Sequence, residues 1–227
     1  MAFTNTVTKP DSEHLVVVSY YHPPLDFAAA IAGKQFTRLH VYGRPTNFHL
    51  LPTLTQLVEL RMQGTRLTDL SALAGMKKLE ELVYTSGSLK ELDLSFAGRT
   101  LTSLWLSSHR SLTDLTSIGA CRKLKSLTLR GLANVSGFVD LAALRRLEFL
   151  ALWNVRRWPT LTGLARATNL RKLLLDQTEI EDGRWEPLLR LKRLEFVSGL
   201  QDAFGKTAAA RFREKRPDVQ TPRRFPA

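Results

Sequence analysis

One phrase governs this sequence: Leu-x-x-Leu-x-apolar, returning nine times at an almost fixed interval. Its copies begin at Leu15, Phe36, Leu57, Leu79, Leu101, Leu124, Leu147, Leu170 and Leu191. The central residues, 18, 39, 60, 82, 104, 127, 150, 173 and 194, lie 21 to 23 residues apart. A repeat of that length is one coil of a solenoid. Within each copy the alternation predicts a short strand with every second side chain turned inward. The period of three that follows, as in Leu67, Leu70 and Leu73, suits a 3-10 or irregular segment. One coil cannot bury its own apolar edge, so stacked coils must share a core and lay their strands into a parallel sheet.

The stretch Leu89-Lys-Glu-Leu92-Asp-Leu94 also matches the phrase, ten residues after Leu82. Ten residues cannot close a coil. Leu89 and Leu92 follow Leu82 at the offsets that Leu67 and Leu70 keep from Leu60, so they belong on the convex side. The fold predicted is α/β: a right-handed solenoid with a parallel concave sheet of about nine strands and a mostly 3-10 or irregular convex side.

The run Leu54-Thr-Gln-Leu57-Val-Glu-Leu60-Arg-Met62-Gln-Gly-Thr65-Arg-Leu67-Thr-Asp-Leu70-Ser-Ala-Leu73 resembles the short-repeat, internalin-like class of leucine-rich repeats. The resemblance covers roughly residues 15 to 200. It implies a protein-binding scaffold rather than an enzyme. One departure affects the loops. The class usually carries Asn five residues after the central Leu, where its amide bonds to neighbouring backbone. Here Pro23, Arg44, Thr65, Gly87, His109, Leu132, Val155 and Thr178 stand there. Only the two threonines substitute in part, and irregular loops are expected after the strands.

Three regions follow. Residues 1–14 read as an N-terminal tail and 15–200 as the solenoid, with a helical N-terminal cap at about 24–33 that has Asp26 near its start. Residues 201–227 read as a C-terminal helical cap and basic tail. Within them Lys206–Lys215 is the helix, Pro217 its stop, and Asp218-Val219-Gln220 a last edge strand.

The formal charge of +12 is regional, since residues 121–172 hold 11 basic and 2 acidic side chains. No apolar run reaches membrane-spanning length and the start lacks the features of a secretory signal, so a cytoplasmic protein is expected. The single cysteine, Cys121, fits a reducing compartment and argues against a disulfide-linked partner; it occupies an apolar slot and reads as buried.

Side chains flanking each central residue point away from the core and form three lanes. Two aromatic groups stand out in them: Tyr21 with Tyr42, sharing a lane on neighbouring strands, and Trp105 with Phe149 and Trp153. Exposed tryptophan beside arginine is what the centres of protein interfaces are enriched in. The candidate partner-binding set is Tyr21, Tyr42, Arg61, Trp105, Arg130, Phe149, Trp153, Lys172, Leu174 and Asp176. Trp158 and Trp185 fall in convex apolar slots and are expected in the core. The lanes carry five basic and four acidic residues, which disfavours a phosphate-tracking concave groove. Basic pairs Lys77-Lys78, Arg122-Lys123 and Arg145-Arg146 each precede a strand phrase and would align along one edge. They are the basis of an alternative reading, an adaptor for nucleic acid or an anionic membrane surface.

Motifs for chemistry are missing. Gly199-Leu-Gln-Asp-Ala-Phe-Gly205-Lys206-Thr207 has five residues between its glycines where a phosphate loop needs four. The five histidines show no metal-ligand spacing; His40 is a candidate exposed contact, and the others, His109 included, read as ordinary surface or loop residues. No catalytic residue, metal or cofactor is expected.

Overall fold

Alternating leucines produce strands where the interior phrases put them. The computed structural model describes residues 4–222. In chain order the strands are β1 (Thr6–Asp11), β2 (His14–Ser19), β3 (Arg38–Gly43), β4 (Glu59–Gln63), β5 (Glu81–Thr85) and β6 (Ser103–Ser107). They continue as β7 (Ser126–Arg130), β8 (Phe149–Trp153), β9 (Arg157–Trp158), β10 (Lys172–Leu174), β11 (Glu179–Ile180) and β12 (Phe196–Ser198). Ten of them form one sheet in chain order, while β9 and β11 pair separately. All neighbours in the large sheet are parallel except β1 and β2. The core column Leu60, Leu82, Leu104, Leu127, Leu150 and Leu173 is buried throughout.

A hydrogen-bond ladder at the strand entrances sets which residues are equivalent from coil to coil. The Val58 amide donates to Thr37, Glu80 to Val58 and Thr102 to Glu80; the series runs on through Lys125, Glu148, Arg171, Glu195 and Gln220 at 2.8–2.9 Å. Glu195 thus opens the ninth coil, and Val197 rather than Leu194 pairs with Leu173. At the other end Leu15, not Val18, pairs with Leu39. The interior phase is as the spacing predicts, but both end strands sit three residues from their expected places. The reason is ambiguity. His14–Ser19 holds four consecutive apolar residues that suit either phase, and Leu191, Leu194 and Val197 continue a period of three, all buried.

A sharp bend closes each strand. Gly43, Gly64, Ser86, Ser108, Gly131, Asn154 and Gln177, each four residues after a central Leu, all have positive φ. On the convex side 3-10 turns occupy residues 71–73, 95–97, 116–120, 141–143, 162–166 and 186–190. Asp69, Asp93, Asp114 and Asp140 each accept a hydrogen bond from the amide two residues on, starting four of these turns. Leu89 and Leu94 are buried in this layer, with no strand between them.

The ends are closed differently from expectation. Residues 4–14, read as tail, include β1, which pairs antiparallel with β2 and covers the edge of the sheet. The helix expected at about 24–33 is α1 (Phe27–Ile31), and the Asp26 carboxylate accepts from the Ala28 amide at its start. It lies in the chain between β2 and β3, so it is the outer segment of the first coil, and β1 covers the end. At the C-terminal end α2 (Leu200–Lys215) contains the predicted helix, starts earlier and bends at Gly205 (φ 81°). Its buried Phe212 meets Trp185 edge to face. Gln220 then bridges in parallel to Phe196, giving the predicted edge pairing. Residues 223–227 of the expected basic tail lie outside the described residues.

Candidate functional site

The strand register brings the aromatic cluster together on the concave sheet. Trp105 on β6 has Val83 on one side and Thr128 on the other, with Ala151 next along the same lane. Phe149 and Trp153 flank Ala151 on the same face of β8, two strands or about 10 Å from Trp105. Trp105 is 40% exposed, while Phe149 and Trp153 are half-buried. Arg130 sits beside Trp153 in the register, and its guanidinium carbon lies 4.3 Å from the ring centroid. Lys172, exposed, stands between Phe149 and Phe196. The result is an aromatic floor with two cations beside it.

Other expected contacts fall elsewhere. Leu174 is buried beside Ala151, and Asp176 is buried and accepts a hydrogen bond from the Ser198 hydroxyl. Neither offers the open surface that its lane position implied, which is a correction to the concave lanes at this end. Tyr21 and Tyr42 do not share a lane: the register sets Val18 and Gln63 beside Tyr42. Tyr21 lies past the end of β2, exposed, with its backbone held by the Asn5 side chain at 2.7 and 2.8 Å. Phe196 was missed as a lane residue because the ninth strand was placed three residues early.

The N-terminal half of the face is charged and internally paired. His40 Nε2 donates to Glu59 at 2.8 Å, so it is half-buried and bonded rather than an open contact. Arg61 also bonds to Glu59 and lies 3.8 Å from Glu81. Burial opposes the ionisation of Glu59, but the hydrogen bonds from His40 and Arg61 outweigh it and hold the carboxyl below its usual value. Arg61 is exposed, yet its charge is already answered within the sheet.

The loops that follow the strands show why the missing asparagines are tolerated. The Thr178 hydroxyl donates to the Leu152 carbonyl at 2.9 Å and accepts from the Val155 amide at 3.3 Å. His109, expected at the surface, is fully buried at the equivalent place three coils earlier, and its Nε2 donates to the Tyr84 carbonyl at 2.8 Å. Histidine therefore substitutes for Asn as threonine does. Thr65 is buried there too, with its hydroxyl unpartnered among the described residues. Trp158, Trp185 and Cys121 are buried as expected, and burial pushes the Cys121 thiol up to about 11. Among the described residues no cluster of His, Cys, Asp or Glu has the arrangement of a metal site. Among the described residues no helix is long and apolar enough to cross a membrane.

The sequence matches no family profile and no curated protein. Solved structures do match. The internalin InlF of Listeria monocytogenes superposes with a TM-score of 0.64 at 19% identity, over 93% of this chain. This is an internalin-like leucine-rich-repeat fold. The chain spans 66% of the length of that internalin. Internalin C2 of the same organism matches at 19% identity and a TM-score of 0.42, over 83% of this chain and 78% of its own. A leucine-rich-repeat protein of Leptospira interrogans matches at 15% identity and a TM-score of 0.40, over 82% of this chain and 66% of its own. At these identities the likeness concerns architecture, so for this leucine-rich-repeat chain the side chains on the concave face carry any statement about what it does.

Proposed function

We propose that this leucine-rich-repeat chain is a non-catalytic protein-recognition module that holds a protein partner against its concave face. Trp105, Phe149 and Trp153 form the centre of the contact, with Arg130 and Lys172 beside them. The observation that carries this reading is Trp105, a tryptophan left 40% exposed on the concave side of a rigid parallel sheet. Burying such a side chain in an interface supplies large apolar area at little entropic cost, and truncating one typically costs about 2 kcal/mol or more of binding. A buried, protonated Cys121 accords with a partner held without a disulfide and with a reducing, cytoplasmic setting.

The test compares proteins retained from a lysate of the native organism by three forms of the chain. These are the unmodified chain, Trp105→Ala with Trp153→Ala, and a convex control, Arg184→Ala. A protein held by the first and third but released by the double variant, with melting unchanged, supports the reading. Equal retention by all three overturns it.

A further inference from the structure

Arg122, Arg145, Arg146 and Arg166 line a single open recess of about 400 Å³ at the entrance edge of the sheet. All four are exposed. The repeat places them there. Arg122 and Arg145 each follow a buried residue that closes a convex turn, Cys121 and Leu144, so stacking sets one above the other. Arg166 ends the convex turn of the next coil. Asp140, Ala142 and Ala143 complete the lining between them.

Arg38, Arg61, Arg157, Arg171 and Arg216 each sit against a carboxylate. None of the four recess arginines forms an ion pair among the described residues. Asp140, which shares the recess, directs an oxygen to the Ala142 amide at 2.8 Å. Four like charges gathered around one hollow repel each other until an anion enters, and a guanidinium fork matches the oxygens of a phosphate.

We propose that this recess binds the phosphodiester backbone of a single-stranded nucleic acid, at a site separate from the concave aromatic face. The cations recur with the coil, from Lys77-Lys78 through Arg122-Lys123 to Arg145-Arg146, and a polymer of evenly spaced phosphates is their natural complement. A membrane surface fits less well. Stable anchoring takes apolar insertion in addition to charge, and the large hydrophobic residues exposed among the described residues, Val7, Tyr20, Tyr21 and Trp105, do not line the recess.

The experiment follows the fluorescence anisotropy of a fluorescein-labelled oligothymidylate titrated with the full chain across a range of salt. Arg122→Ser, Arg145→Ser and Arg166→Ser are combined in one variant. A control removes the same charge elsewhere, through Lys34→Ser, Arg66→Ser and Arg110→Ser, at exposed positions outside the recess. The recess variant is expected to lose at least tenfold in affinity at low salt. Its slope of log affinity against log salt should fall by about 2, as expected for three lost phosphate contacts on a single strand. The control and the Trp105→Ala, Trp153→Ala variant should bind as the unmodified chain does. Equal losses in the recess variant and the charge control would reduce the effect to net charge and overturn the proposal. So would loss of binding in the tryptophan variant, or no binding of oligothymidylate by a chain that is retained on phosphatidylserine vesicles.

Discussion

The guanidinium of Arg130 lies over the indole ring of Trp153, 4.3 Å from its centroid, in adjacent strands of the concave sheet. Parallel register alone puts them side by side, because Arg130 and Trp153 end equivalent strands one coil apart. The stack covers part of Trp153 while leaving the arginine exposed.

Removing that cation should uncover the indole without unsettling the fold. In a Trp105→Phe background the remaining tryptophans are Trp153 and the buried Trp158 and Trp185. Acrylamide quenching then reads Trp153. Arg130→Ala is expected to raise the quenching constant while lowering stability by no more than about 1 kcal/mol, the scale of an exposed cation–π contact. Arg130→Lys should fall between the two, since an ammonium stacks less well than a planar guanidinium. An unchanged quenching constant in Arg130→Ala would show that the stack is not held in solution.

His109 makes stability depend on pH in one direction. Burial is the main cause that holds its pKa below the ordinary histidine value. Unfolding restores that ordinary value, so the unfolded chain takes up the proton first as pH falls. Stability tied to the neutral ring is therefore complete above the ordinary histidine pKa, and it is lost progressively as pH falls from there toward the lowered folded-state value. The denaturation midpoint should drop between about pH 7 and 5. His109→Gln should flatten the slope, leaving a remnant from His14, whose pKa burial and then the nearby His40 and Arg38 also lower. Identical slopes in the two proteins would remove His109 as the cause.

Thr178→Val keeps the shape of the side chain and deletes its hydroxyl. The Val155 amide, in the loop, loses its acceptor and the Leu152 carbonyl, in β8, loses a donor, both in buried surroundings. Leaving such a group unsatisfied costs about 1–3 kcal/mol, which should be seen in the urea midpoint with an unchanged m-value. A variant as stable as the original would mean that water reaches the loop.

Gly43 ends β3 with φ at +88°, and a Cβ there would stand 2.2 Å from the Ser19 carbonyl oxygen. Gly43→Ala should therefore destabilise by more than about 1 kcal/mol, through both the backbone conformation and the collision with a neighbouring coil. Ser86 holds the equivalent bend without glycine, at φ 52°. Ser86→Ala should cost clearly less in the same denaturation experiment, and equal losses would argue against the contact with Ser19.

From the sequence alone, the spacing of Leu60, Leu82, Leu104, Leu127, Leu150 and Leu173 determined the solenoid, its parallel sheet and its convex turns. Those leucines have a single way to share a core. The same spacing put Trp105, Phe149 and Trp153 on one face, because alternation along a strand sends neighbours to opposite sides. The ends were a different matter. Val16, Val17 and Val18 suit either side of a sheet, and only pairing with β3 decided that Leu15 and Val17 go inward. Contact between coils likewise decided that Leu174 and Asp176 are covered, that His109 stands in for an asparagine, and that Arg166 joins Arg122 and Arg145 around one recess. Periodicity reports what one coil repeats, whereas burial at the ends and the meeting of residues a coil apart depend on neighbours that the repeat does not name.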